Sequence, residues 1–197
     1  MQHGALHWFE PRELDPDRRR TYEAITAGPR AVSARELCLV DDAGRLEGPF
    51  NAMLFSPGLG LAVQAVGSAL RFGTTLSARL RELAVLTVAV SLRCDYEWFV
   101  HERLARAAGF TDEELETMSS GGEPVSFSSD ERLARAVVLD LANAHDLAEE
   151  TLERARAVFG DVALVELVNL VGYYQLLALG MRVFRTPLPG GVASPFA

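Results

Sequence analysis

The chain contains no lysine. All 19 of its basic residues are arginine, set against 27 acidic ones, and the formal net charge is −8. That balance argues against a nucleic-acid surface. Cysteine is nearly absent too: Cys38 and Cys94 are too few for a disulfide framework. The opening MQHGALHWFEPRE lacks the basic-then-apolar order of a signal peptide. Together these imply a reduced, cytoplasmic protein. Charge is missing from one long stretch, VALVELVNLVGYYQLLALGM, which has one formal charge in 20 residues. Its length invites a membrane span. Glu166, Asn169, Gln175 and the central Gly172 argue against one, as does the lack of positive charge before it. The expectation is a central core helix or a subunit interface.

At 197 residues the chain has room for one domain with a sizeable core. The reading divides it into an N-terminal arm over 1–50, a helical core over 51–186 and a tail over 187–197. The arm is polar, is punctuated by Pro11, Pro16 and Pro29, and holds a helix across Asp15 to Ala27. Its run Arg18-Arg19-Arg20 reads as a solvated face. Leu37 to Val40, followed by Asp41-Asp42-Ala43-Gly44, reads as an extended piece and a turn, with Cys38 a small apolar residue there.

From Ser56 the punctuation is helical. Ser56, Pro57 and Gly73 bracket a helix over 57–72, whose core face is expected to hold Leu59, Val63, Val66 and Leu70. A helix over about 77–92 is apolar nearly all round and so should be buried on several sides. Capping boxes at Thr111–Glu114 and Ser128–Glu131 open the next two helices. A helix over 149–159 should stop at Gly160, with the last one running from Asp161 to Phe184.

The chemistry is concentrated in Leu76 to Thr111, where Glu82, Cys94, Glu97 and His101 interrupt an apolar or arginine-decorated sequence. Cys94, Glu97 and His101 stand at i, i+3 and i+7 and share a helix face. Glu82 lies about 120° away on one uninterrupted helix, so bringing it to that face requires a break. The weak helix formers Thr87, Val88, Val90 and Ser91, with Asp95 as an N-cap, predict one near 91–94, and the second helix then begins at Tyr96. A thiol at that helix start should have a lowered pKa. A carboxylate such as Glu82 needs a partner, for which Arg79, Arg81, Arg93 and His101 are candidates.

The pattern Glu82-x11-Cys94-x2-Glu97-x3-His101, followed by Ala108-Gly109-Phe110-Thr111, resembles the carboxymuconolactone decarboxylase family, which includes the AhpD-like alkylhydroperoxidases. The peroxidase branch has a second cysteine where this chain has Glu97. Tyr96-Glu97-Trp98 followed by His101 resembles the decarboxylase-like branch instead. The likeness extends, more weakly, from Gly48-Pro49-Phe50-Asn51 to Gly172-Tyr173-Tyr174. It implies an all-α, AhpD-like bundle of six to eight helices that assembles as a trimer, hexamer or dimer.

Three chemistries fit these residues. A cofactor-free lyase acting on a small carboxylated lactone would use His101 as the acid, tuned by Glu82 or Glu97. In that reading Arg79 or Arg93 grips a carboxylate, and Trp98 and Phe50 form an apolar wall. A one-cysteine peroxidase would use Cys94. A bound metal is a third option, disfavoured because no second Glu and His pair appears elsewhere. Beside these stands a member of the family that binds a small molecule without catalysis. The expectation is a small-molecule site with no cofactor and no metal, in a protein with no nucleic-acid or membrane partner.

Overall fold

The computed structural model describes residues 1–27 and 39–196. Cys38 lies outside the described residues. The fold is all-α, with eight α-helices among the described residues and one two-stranded hairpin. The chain divides into two compact units, Met1–Gly73 with Leu179–Ser194, and Thr74–Ala178 with Pro195–Ala197.

In the first unit, β1 (Gln2–His3) pairs antiparallel with β2 (Leu6–His7). Gly4 makes the turn at φ +65°, where a Cβ would stand 2.2 Å from the Arg185 carbonyl oxygen; only glycine fits there. Helix α1 (Pro16–Thr26) starts where the Asp15 side chain accepts from the Arg18 backbone N–H, and it packs on α3 (Pro57–Phe72). The arginine run is locally occupied: Arg18 donates to the Leu54 carbonyl, Arg19 to that of Pro11, and Arg20 pairs with Asp17.

A one-turn helix, α2 (Phe50–Met53), packs against α3 and corrects the expected face of that helix. Leu59 and Val66 are exposed, at 64% and 49%, while Gly60, Gly67 and Leu70 are buried. The glycines explain the reversal. A Cβ on Gly60 would lie 2.3 Å from the Met53 carbonyl oxygen, so the absence of a side chain lets α2 sit on α3, and the larger residues turn outward.

The second unit is organised around α4 (Ala78–Ser91), buried from Glu82 through Ala89 as its apolar composition requires. It packs against α5 (Asp95–Ala107), α6 (Asp112–Ser119) and α7 (Ser129–Asn143). Leu83, Leu86 and Ala89 of α4 meet Trp98 and Ala105 of α5, Leu115 and Met118 of α6, and Ala134 of α7 in one core. Both expected capping boxes are formed, Thr111 with Glu114 and Ser128 with Glu131. Helix α8 (Glu149–Val183) breaks at Gly160, whose φ of 76° ends the first segment as anticipated.

Candidate functional site

The break between α4 and α5 positions the site. The Leu92 N–H donates to Val88, the Arg93 N–H to Val90 and the Cys94 N–H to Ala89, and Arg93 takes a left-handed φ of 49°. This reverses the chain in three residues, much as a glycine C-cap would. Arg93 is held there by its guanidinium, which donates to the Phe196 carbonyl. Helix α5 begins at Asp95 with Cys94 as N-cap, one residue earlier than the Asp95 cap expected. Two turns further on, His101 faces back to α4.

There the His101 Nδ1 meets Glu82 Oε2 at 2.7 Å, with both residues buried. Of the four partners considered for Glu82, His101 is the near one and Arg81 the second, its Nε 3.6 Å from the other carboxylate oxygen. Tyr174 of α8 sets its ring edge-on to the His101 ring, centroids 5.0 Å apart, and Tyr173 stacks edge-on to Tyr174. Sequence spacing offered no link between Tyr174 and His101. The one signal was the pair Tyr173-Tyr174 in the apolar stretch over 162–181.

Glu97 lies one helical turn before His101, and neither of its buried carboxylate oxygens has a hydrogen-bond partner among the described residues. Burial holds its pKa well above the ordinary carboxylate value. Cys94 is also buried, and its thiol is pushed up to about 12, first by burial and then by Glu97. The Glu97 and Tyr96 backbone N–H groups act in the opposite direction and are outweighed. This corrects the expected low thiol pKa: here burial and the carboxylates of Glu97 and Asp95 outweigh the helix start.

The residues expected to hold substrate have other partners. Arg79 donates to Glu131 at 2.5 Å, to Glu114 at 2.8 Å and to the Gly109 carbonyl at 2.9 Å, and its guanidinium lies over the Phe110 ring. It ties the start of α4 to α6 and α7. Trp98 packs in the core, edge-on to Phe196, and Phe50 is on α2 in the first unit. A cavity of about 320 Å³ lies among α4, α6 and α7, lined by Arg135, Ser91 and Asn143 and by none of Glu82, Cys94, Glu97 or His101. Among the described residues no group of three or more His, Cys, Asp or Glu side chains is arranged to hold a metal ion.

The arrangement is suited to moving protons. A buried carboxylate orients an imidazole and favours its protonated form, and a second carboxyl, its pKa raised by burial, stands on the same helix face. It is poorly suited to generating a thiolate.

Comparison with known proteins agrees with this fold. A solved structure from Agrobacterium tumefaciens, a protein of unknown function for which a role as the antioxidant defence protein AhpD has been suggested, superimposes with a TM-score of 0.65. The two share 21% identity over 73% of this chain and 99% of that one. No curated protein matches the chain. Residues 57–140, which span α3 to α7 and contain all four chemically distinctive residues, match the carboxymuconolactone decarboxylase family model. Over that stretch the chain is similar to the carboxymuconolactone decarboxylase family, and its helical fold is like that of the Agrobacterium tumefaciens structure.

Proposed function

We propose that the chain is a cofactor-free carboxy-lyase acting on a small carboxylated lactone or a related ring acid. The observation that carries this reading is the buried Glu82–His101 hydrogen bond, with Glu97, a buried carboxyl of raised pKa, one turn away. In an unsaturated lactone the C–CO2 bond can break with its electron pair moving into the conjugated ring carbonyl. No external electron sink is required. The carboxyl O–H of Glu97 can donate to the oxygen that gains charge. With Nδ1 engaged by Glu82, His101 delivers its proton from Nε2 to the carbon that has lost CO2 and is recharged from solvent. One proton is consumed and one CO2 released per turnover. Arg81, beside Glu82, supplies the positive charge that keeps this acidic site in balance.

The thiol-peroxidase alternative draws support from the suggested role of the structural neighbour. Against it stand Glu97 in the place of a resolving cysteine and a Cys94 thiol held in its protonated form. The test is turnover of carboxylated lactones in deuterated water. The expected result is one CO2 per product and one solvent deuterium on the carbon that lost it. Tight binding of these lactones with no CO2 release would identify a binding protein instead and overturn the proposal.

A further inference from the structure

The cavity of about 320 Å³ among α4, α6 and α7 lies within the second unit and takes no part in the chemistry proposed above. Its two ends differ in character. Arg135 stands at one, beside Gly121, with its side chain only 12% exposed. Its Nη2 donates to the Gly121 and Gly122 carbonyls, each at 2.9 Å. The Nε and Nη1 groups make no hydrogen bond among the described residues, the Glu123 carboxylate being 3.8 Å from Nη1 and bonded instead to Arg132. Two guanidinium groups thus share one carboxylate, which leaves a net positive charge at this end. At the other end the Ser91 hydroxyl donates to Asn143 Oδ1 at 2.9 Å, so the Asn143 amide nitrogen is the donor left over. Val90, Met118 and Leu139 supply apolar wall. Arg135, Leu139 and Asn143 fall at i, i+4 and i+8 of α7, which sets the two polar ends about 12 Å apart along that helix.

We propose that this cavity is a second ligand site, separate from the Glu82–His101 pair, for a small organic acid. The carboxylate accepts from Arg135 Nε and Nη1, the apolar body lies against Val90, Met118 and Leu139, and an oxygen at the far end accepts from Asn143. A guanidinium largely withdrawn from water with donors uncommitted favours an anion that can take two of its N–H groups at once. The apolar wall selects an organic acid over a bare anion, and the volume, near the roughly 300 Å³ lower bound of small-molecule sites, suits a single ring or a short chain. Separation from the first site follows from the helix. Thr87 and Ser91, which line the cavity, stand about 140° and 180° around α4 from Glu82.

Titration calorimetry with 4-hydroxyphenylacetate and phenylacetate tests the assignment. Both acids should bind the parent saturably, one per chain. Arg135→Gln should weaken both about 10- to 100-fold, the range of a hydrogen-bonded charge. Asn143→Leu should weaken 4-hydroxyphenylacetate about fivefold and leave phenylacetate unchanged, since only the first reaches the far end. Glu97→Met should leave both unchanged. Absence of saturable binding by either acid at millimolar concentration would overturn the proposal. So would binding that survives Arg135→Gln and is lost in Glu97→Met, which would place the acids at the other site. Inorganic phosphate that displaces them at equal concentration would mean a bare anion site and overturn it as well. If Arg135→Gln disturbs the Gly121-Gly122 loop it caps, Leu139→Trp poses the same question by filling the cavity from a partly buried position. It should abolish binding with helical circular dichroism retained, and unchanged binding there would contradict the assignment.

Discussion

Replacing His101 by alanine should lower the rate of CO2 release from a carboxylated lactone by about 10³-fold, within the 10²–10⁴-fold that a positioned proton donor supplies. The loss should fall on kcat with KM little changed, because the imidazole acts in the proton-transfer step rather than in holding the ground state. Glu82→Gln is the informative companion. It keeps a side chain of the same shape beside Nδ1 but removes the charge that favours the imidazolium, so a smaller loss is expected, with the alkaline limb of activity moved to lower pH. His101→Ala also strips Glu82 of its 2.7 Å partner. A stability loss of about 3 kcal/mol should follow, as when one member of a buried pair is removed. Comparing kcat at a temperature where both variants are folded separates chemistry from stability. Equal activity of parent and His101→Ala would remove His101 from the mechanism.

The second large effect is a gain in stability. Glu97 is buried with both oxygens unpartnered and has a raised pKa. In the unfolded chain a glutamate ionises above its ordinary value of 4.5, while in the folded chain Glu97 stays protonated to much higher pH. The fold is therefore favoured fully below that ordinary value, and this contribution is lost as pH rises towards the raised one. Each tenfold difference in proton affinity is worth about 1.4 kcal/mol. Glu97→Met removes the group at similar volume. In acid it should stabilise by about 1–3 kcal/mol through loss of an unsatisfied buried polar group. In mildly alkaline buffer the gain should be larger, read as a greater rise in Tm than in acid. The same variant should lose decarboxylation, the exchange of activity for stability common at functional sites. Thermal melts across this pH range test it: a gain that does not grow with pH would mean that Glu97 is ionised in the fold.

How much of this was legible in the sequence depends on how local the cause was. Helix starts governed by their own first turn, such as Thr111 with Glu114 and Ser128 with Glu131, and the stop at Gly160, were readable because cap and backbone are neighbours. The approach of Glu82 to His101 was readable too, because a break in one apolar helix and a two-turn spacing are both short-range facts. What depended on distant packing was not. The inward face of α3 follows from Gly60 meeting Met53, where hydrophobic periodicity pointed to Leu59 and Val66. The clasp of Arg79 on Glu114 and Glu131 requires three helices to be in place, so Arg79 looked available for substrate. The Cys94 thiol was misread for the same reason: a helix start is visible in sequence, and the burial that outweighs it is not.

The measurement that bears most directly on the account compares the parent and Cys94→Ser in two assays, CO2 release from a carboxylated lactone and consumption of an organic hydroperoxide with an added thiol. A site that works by proton transfer through His101, Glu82 and Glu97 should decarboxylate at nearly the parental rate in Cys94→Ser, with negligible hydroperoxide turnover in either protein. Rapid hydroperoxide turnover in the parent that vanishes in Cys94→Ser, with no lactone chemistry in either, would contradict it.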